Sequence, residues 1–68
     1  MSLVKINWIV IETEMAKRQM TAEELAERAG VRVNVLKKYL NMGRASYTVA
    51  MNIANVLGLM PFDVIMRR

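Results

Sequence analysis

Two lysines and two asparagines share one arc of a short amphipathic segment, and no other residues of this 68-residue chain are so well grouped to do chemistry. Taking about 100° per residue from Arg32, the residues Val33, Lys37, Asn41, Asn34 and Lys38 span roughly 100–240°. Val35, Tyr39, Leu36 and Leu40 span roughly 300–80°. One arc is therefore apolar apart from a tyrosine hydroxyl, and the other carries ammonium and carboxamide groups. Such groups donate hydrogen bonds and neutralise anions; they are poor at moving protons near neutral pH. The chain has no His and no Cys. That removes the commonest general base, the commonest metal ligand and any thiolate or disulfide. No nucleophile–base pair can be assembled, so an enzyme is not expected, nor a metal or cofactor.

The charge is uneven. Residues 1–27 carry Lys5, Lys17 and Arg18 against Glu12, Glu14, Glu23, Glu24 and Glu27, a net −2. Residues 28–68 carry Arg28, Arg32, Lys37, Lys38, Arg44, Arg67 and Arg68 against Asp63 alone, a net +6. A basic portion on a small domain points to a polyanionic partner. The carboxylates Glu23, Glu24 and Glu27 suit helix support, by first-turn charge and capping, better than acid–base work.

The elements that must hold this arc can be read locally. At 54% apolar residues the chain is not disordered, and its length allows one small domain over 1–68. Seven Met and only four aromatic residues make an aliphatic, pliable interior, with the methionines expected as core filler. The densest apolar run, Trp8-Ile9-Val10-Ile11, is far shorter than the roughly 20 residues of a membrane span. A soluble, cytoplasmic protein is expected, with residues 1–5 as a loose leader. Asn7 caps a first helix, with Ile6 and Ile11 as a hydrophobic staple. Thr21 and Glu24 form a T-x-x-E capping box for a second, whose inner face is Leu25, Ala26 and Ala29 and whose end is Gly30. A third runs from about Arg32 to Asn41, and a fourth from about Thr48 to Leu57 with Ala50, Ile53, Ala54 and Leu57 inward. Pro61 starts a short fifth, to about Met66. No strand is expected, and the fold class is all-α, a compact five-helix domain.

The stretch Thr21-Ala22-Glu23-Glu24-Leu25-Ala26-Glu27-Arg28-Ala29-Gly30-Val31, followed by the third helix, resembles the helix-turn-helix of the Cro/C1 (XRE-like) family of phage repressor and Cro proteins. Ala26 is small where the next helix crosses, Gly30 makes the turn, and Val31 and Leu36 fill the angle between the helices. The segment Ile53-Ala54…Leu57-Gly58 is similar to the family's fourth helix and Pro61–Ile65 to its fifth. The resemblance covers about Ile6 to Met66. It implies a lambda-repressor-like fold with its motif at about 21–41, in a prokaryotic or phage-encoded protein that joins the nucleoid when DNA-bound. The implied function is sequence-specific binding of double-stranded DNA by a homodimeric transcriptional regulator acting through operator occupancy, with no small-molecule ligand.

The departures from the pattern are specific. Ala22 stands where many members have a phosphate-holding Gln. Arg32 stands where Ser is common, exchanging a good cap for a cation that reaches phosphate. Met15 and Leu40 replace an Arg–Glu pair, and are expected to touch, because removing both charges together leaves neither stranded.

Carried onto this chain, the resemblance gives Val33, Asn34, Lys37 and Lys38 as base-contacting residues, Lys37 alternatively reaching a phosphate. Asn34 suits adenine, Val33 a thymine methyl and Lys38 guanine. Thr21, Arg32, Asn41, Arg44 and Ser46 are the phosphate contacts. Met60, Phe62, Ile65 and Met66 are too many apolar residues for one short helix to bury and are the candidate dimer interface. A different reading stays open: a protein-interaction module that keeps the fold without specific DNA binding, favoured by Ala22 and by the Val33/Val35 pair.

Overall fold

The computed structural model describes residues 2–66. Its elements are β1 (Leu3–Lys5), α1 (Trp8–Lys17), α2 (Ala22–Ala29), α3 (Val33–Met42), β2 (Arg44–Ser46), α4 (Tyr47–Leu57) and α5 (Pro61–Val64). The helix starts follow from their caps. Asn7 Oδ1 accepts the Val10 N–H at 3.3 Å. Thr21 Oγ1 accepts the Glu24 N–H at 3.1 Å while Glu24 Oε1 accepts the Thr21 N–H at 2.9 Å, the reciprocal capping box. Ser46 Oγ accepts the Val49 N–H at 3.2 Å and begins α4.

The helix ends follow from left-handed residues. Gly30, at φ +73°, lets the Val31 N–H return to the Ala26 carbonyl at 3.0 Å. After α1 the same role falls to Gln19, at φ +52°, with the Met20 N–H on the Met15 carbonyl at 2.8 Å.

The core is apolar throughout. Ile6, Ile11, Leu25, Leu36, Ile53, Leu57 and Val64 are its large buried members, and no polar side chain among the described residues is buried. Ala26 and Ala29 on α2 and Ala50 and Ala54 on α4 are buried as well. Small side chains let two axes come close, and α2 and α4 pack directly together.

Three expectations are corrected. Strands do form: β1 and β2 pair antiparallel, with Leu3 opposite Ser46, Val4 opposite Ala45 and Lys5 opposite Arg44. Three-residue strands carry too little alternation to be read along the chain. Consequently Leu3–Lys5 are not a loose leader, since Val4 packs on the core from within the sheet; Met1 lies outside the described residues. The fifth helix also stops early, at Val64. Ile65 is extended and bridges to Ile6, and the Met66 N–H donates to the Lys5 carbonyl at 2.9 Å.

Candidate nucleic-acid interface

Helix α3, like α1, buries a single residue completely. It packs against α2 and β2, and Leu36 is its one fully buried residue. Tyr39 and Leu40 on the same apolar arc are half-buried against the core, while Asn34, Lys37, Lys38 and Asn41 are all exposed. Arg32 occupies the N-cap position in extended conformation, exposed, with no side-chain hydrogen bond to the helix start. The first-turn N–H groups of α3 therefore keep their free donors, beside a cation. At the other end, left-handed Gly43 turns the chain into β2, where Arg44 is exposed and Ala45 is buried.

Several proposed contacts are constrained by their own surroundings. Thr21 Oγ1 is engaged twice with Glu24, accepting from its N–H and lying 3.4 Å from its Oε1. It has little left to offer a phosphate, and Glu23 and Glu24 beside it repel one. Ser46 is half-buried with its hydroxyl capping α4, although that hydroxyl keeps its own proton to donate. Lys37 Nζ lies 3.8 Å from Glu23 Oε2 in an exposed ion pair between α3 and α2.

Val33 departs from its place on the outer arc. It is half-buried and packs against the core, so much of its surface is withdrawn from any base. A helical side chain leans toward the N-terminus of its helix, and Val33, in the first turn, packs on the core as the preceding Val31 does.

Two ties that steady the frame were not foreseen. Arg18 Nη2 donates to the Leu57 carbonyl at 2.6 Å, placing a cation at the C-terminus of α4. Asn52 Nδ2 on α4 donates to the Ala29 carbonyl at 3.1 Å, closing the C-terminus of α2. Their partners lie 39 and 23 residues away in sequence, and no local pattern points to them.

A family model for the Cro/C1-type HTH DNA-binding domain matches residues 11–67. The chain belongs to that family. No curated protein and no solved structure matches it. The family is one of DNA binders rather than enzymes, and DNA is the partner that membership supports. Among the described residues no helix is long and apolar enough to cross a membrane, and no cluster of three acidic residues could hold a metal.

In this Cro/C1-type domain Met15 and Leu40, the two residues expected to touch, face a common groove. Met15 and Leu40 are half-buried, pack on the core and line one open groove of about 660 Å³ between α1 and α3. Trp8, Met20 and Ala22 complete its apolar wall, and Lys37 and Asn41 stand at its α3 side.

The apolar surface falls into two groups. Phe62, 70% exposed, and Tyr47, 58% exposed, border one depression with Val4, Pro61 and Ile65. Trp8, Ile9, Met42 and Met66 border another. The proposed dimer residues are thus divided, Phe62 and Ile65 in the first and Met66 in the second; Met60 is exposed and borders neither. The methionines are divided too. Met15 and Met20 pack on the core, whereas Met42, Met60 and Met66 are exposed, so core filler describes only some of them. An unbranched thioether loses little by facing water, and these three lie at helix ends or outside helices.

Proposed function

We propose that this Cro/C1-type domain is a sequence-specific regulator of transcription that acts by occupying an operator as a homodimer. The observation that carries this reading is the exposed row Asn34, Lys37, Lys38 and Asn41 on a helix whose opposite face packs on the core through Leu36, Tyr39 and Leu40, with Arg32 and Arg44 flanking its two ends. Asn34 and Lys38 read base edges, Lys37 reads a base or pairs with a phosphate once Glu23 releases it, and Arg32, Asn41, Arg44 and Ser46 grip the backbone. Thr21 contributes through the helix start that it caps. Val33 offers at most part of its side chain to a thymine methyl. The two-fold contact is made by the depression around Phe62 and Ile65, where Tyr47 and Val4 add apolar area.

Selection from random duplex DNA, with the selected site inspected for symmetry, tests this directly. The expected product is a palindrome of two half-sites about one helical turn apart. Failure to retain any duplex at low salt would sink the reading. The protein-interaction alternative draws support from one observation: α2 begins with Ala22, and the Thr21 hydroxyl beside it is spent on its own cap. The two readings part on salt. About five phosphate contacts require a log–log slope near −4 to −5, which a protein partner bound through apolar surface would not give.

A further inference from the structure

The sheet places two cations side by side. Lys5 on β1 lies directly opposite Arg44 on β2. Val4 and Ala45, the next pair, turn inward, Val4 onto the core and Ala45 into it. Lys5 and Arg44 therefore project together from the outer face, and both are exposed. The Ile6 N–H donates to the Gly43 carbonyl at 2.9 Å, which makes the neighbouring pair the hydrogen-bonded one. Lys5 and Arg44 are thus a non-hydrogen-bonded pair, the closer of the two antiparallel geometries. Their Cβ atoms are then about 4.5–5.5 Å apart, a spacing at which like charges repel.

Nothing among the described residues offsets that repulsion. The carboxylates in ion pairs are Glu14, with Lys17 and Arg18, and Glu23, with Lys37. The pair is also held rigidly. The Gly43 carbonyl that receives the Ile6 N–H ends α3, and the Lys5 carbonyl receives the Met66 N–H. A close, fixed pair of cations beside the last turn of an exposed basic helix is suited to an anion that the helix brings with it.

We propose that Lys5 and Arg44 form one clamp for a DNA phosphate, so that β1 supplies a backbone contact to the interface alongside α3. The proposal rests on the DNA-binding reading above. In the free protein the two charges oppose each other; on DNA the phosphate between them turns that opposition into shared attraction. Lys5 fixes the register of the duplex against the end of α3 and carries no sequence preference.

The test compares wild type, Lys5→Gln, Lys5→Arg and Arg44→Gln for binding to a random-sequence duplex of about two helical turns across a salt series. Lys5→Gln and Arg44→Gln should each flatten the log–log slope, by up to about 0.9 because the remaining cation keeps part of the shared phosphate, and Lys5→Arg should keep the wild-type slope. Between about 50 and about 200 mM salt, the affinity advantage of wild type over Lys5→Gln should shrink by up to about 3.5-fold. The free Lys5→Gln protein should unfold at the same urea concentration as wild type or a higher one. An unchanged slope for Lys5→Gln, with Arg44→Gln flattened, overturns the clamp and leaves DNA binding intact. A Lys5→Gln chain that fails to fold also overturns it, since Lys5 would then hold the structure rather than a phosphate. Absence of duplex binding by wild type removes the DNA reading itself.

Discussion

Helices α2 and α3 adjoin across a tight turn, yet their starts are built to opposite specifications. The start of α2 has a reciprocal capping box with Glu23 and Glu24 in its first turn, and its far end is closed by Gly30 and by Asn52 from α4. It buries Leu25, Ala26 and Ala29 within eight residues. The start of α3 has an uncapped Arg32 and no acid in its first turn, and in ten residues the helix buries Leu36 alone. A cation at the positive end of a helix dipole is unfavourable, and so is an unfilled N-cap. Both faults become assets when an anion arrives, because free N–H groups and positive charge are what a phosphate requires. Helix α2 is thus arranged for stability, and the proposed function gives the open start of α3 a partner.

The comparison is most severely strained at Leu36. Leu36 is the one fully buried side chain of α3, so Leu36→Ala should cost about 2–5 kcal/mol, a large part of the stability of a domain this small. Urea unfolding would measure it. A cost below about 1 kcal/mol would show that α3 is anchored elsewhere.

Next come the exposed residues of α3. Asn34→Ala and Lys38→Ala should each lose about 1–3 kcal/mol of binding at particular base positions, and Arg44→Ala should weaken all sequences alike. None should shift the unfolding midpoint by more than about 0.5 kcal/mol. Competition binding against singly mutated sites would separate the two classes. Identical behaviour of all three would abolish the division between base and backbone contacts.

The parts of this arrangement that are legible in the sequence are those written within one helical turn. Thr21 and Glu24 are three residues apart and announce their capping box; Gly30 and Asn7 act on their immediate neighbours. The same locality explains what was not legible. Arg18 finds the Leu57 carbonyl 39 residues on, and Lys5 finds Arg44 at the same separation. Dividing the chain by charge put Lys5 with the net-acidic first portion, whereas the sheet sets it in the basic one. The wheel located Leu36 and the exposed row, but not Val33, because a wheel ignores the lean of a side chain along the helix axis.

The two N-termini offer a matched pair of smaller changes with opposite signs. Thr21→Ala removes a working cap from α2 and should cost about 1 kcal/mol. Arg32→Ser supplies a missing cap to α3 and should add up to about 1 kcal/mol, while weakening DNA binding through the lost cation. Urea midpoints and duplex affinity measured on the same two proteins would show stability and binding moving apart at Arg32. If Arg32→Ser is neutral or destabilising, α3 does not carry the deficit ascribed to it.

The smallest change lies where the two helices face each other. Glu23 and Lys37 form an ion pair at 3.8 Å, with side chains 67% and 59% exposed. Exposed pairs of that kind contribute little, so Glu23→Gln should alter stability by less than about 0.5 kcal/mol. Its effect on binding should exceed that on folding. On the proposed reading, the carboxylate competes with DNA for Lys37 and repels approaching phosphates. Removing it should tighten duplex binding and steepen the salt slope by up to about 0.9, as one more ammonium becomes available. A salt titration of Glu23→Gln against wild type measures both. Weaker binding would mean that Glu23 instead holds Lys37 in its working position, and then α2 would belong to the reading surface as well as to the frame.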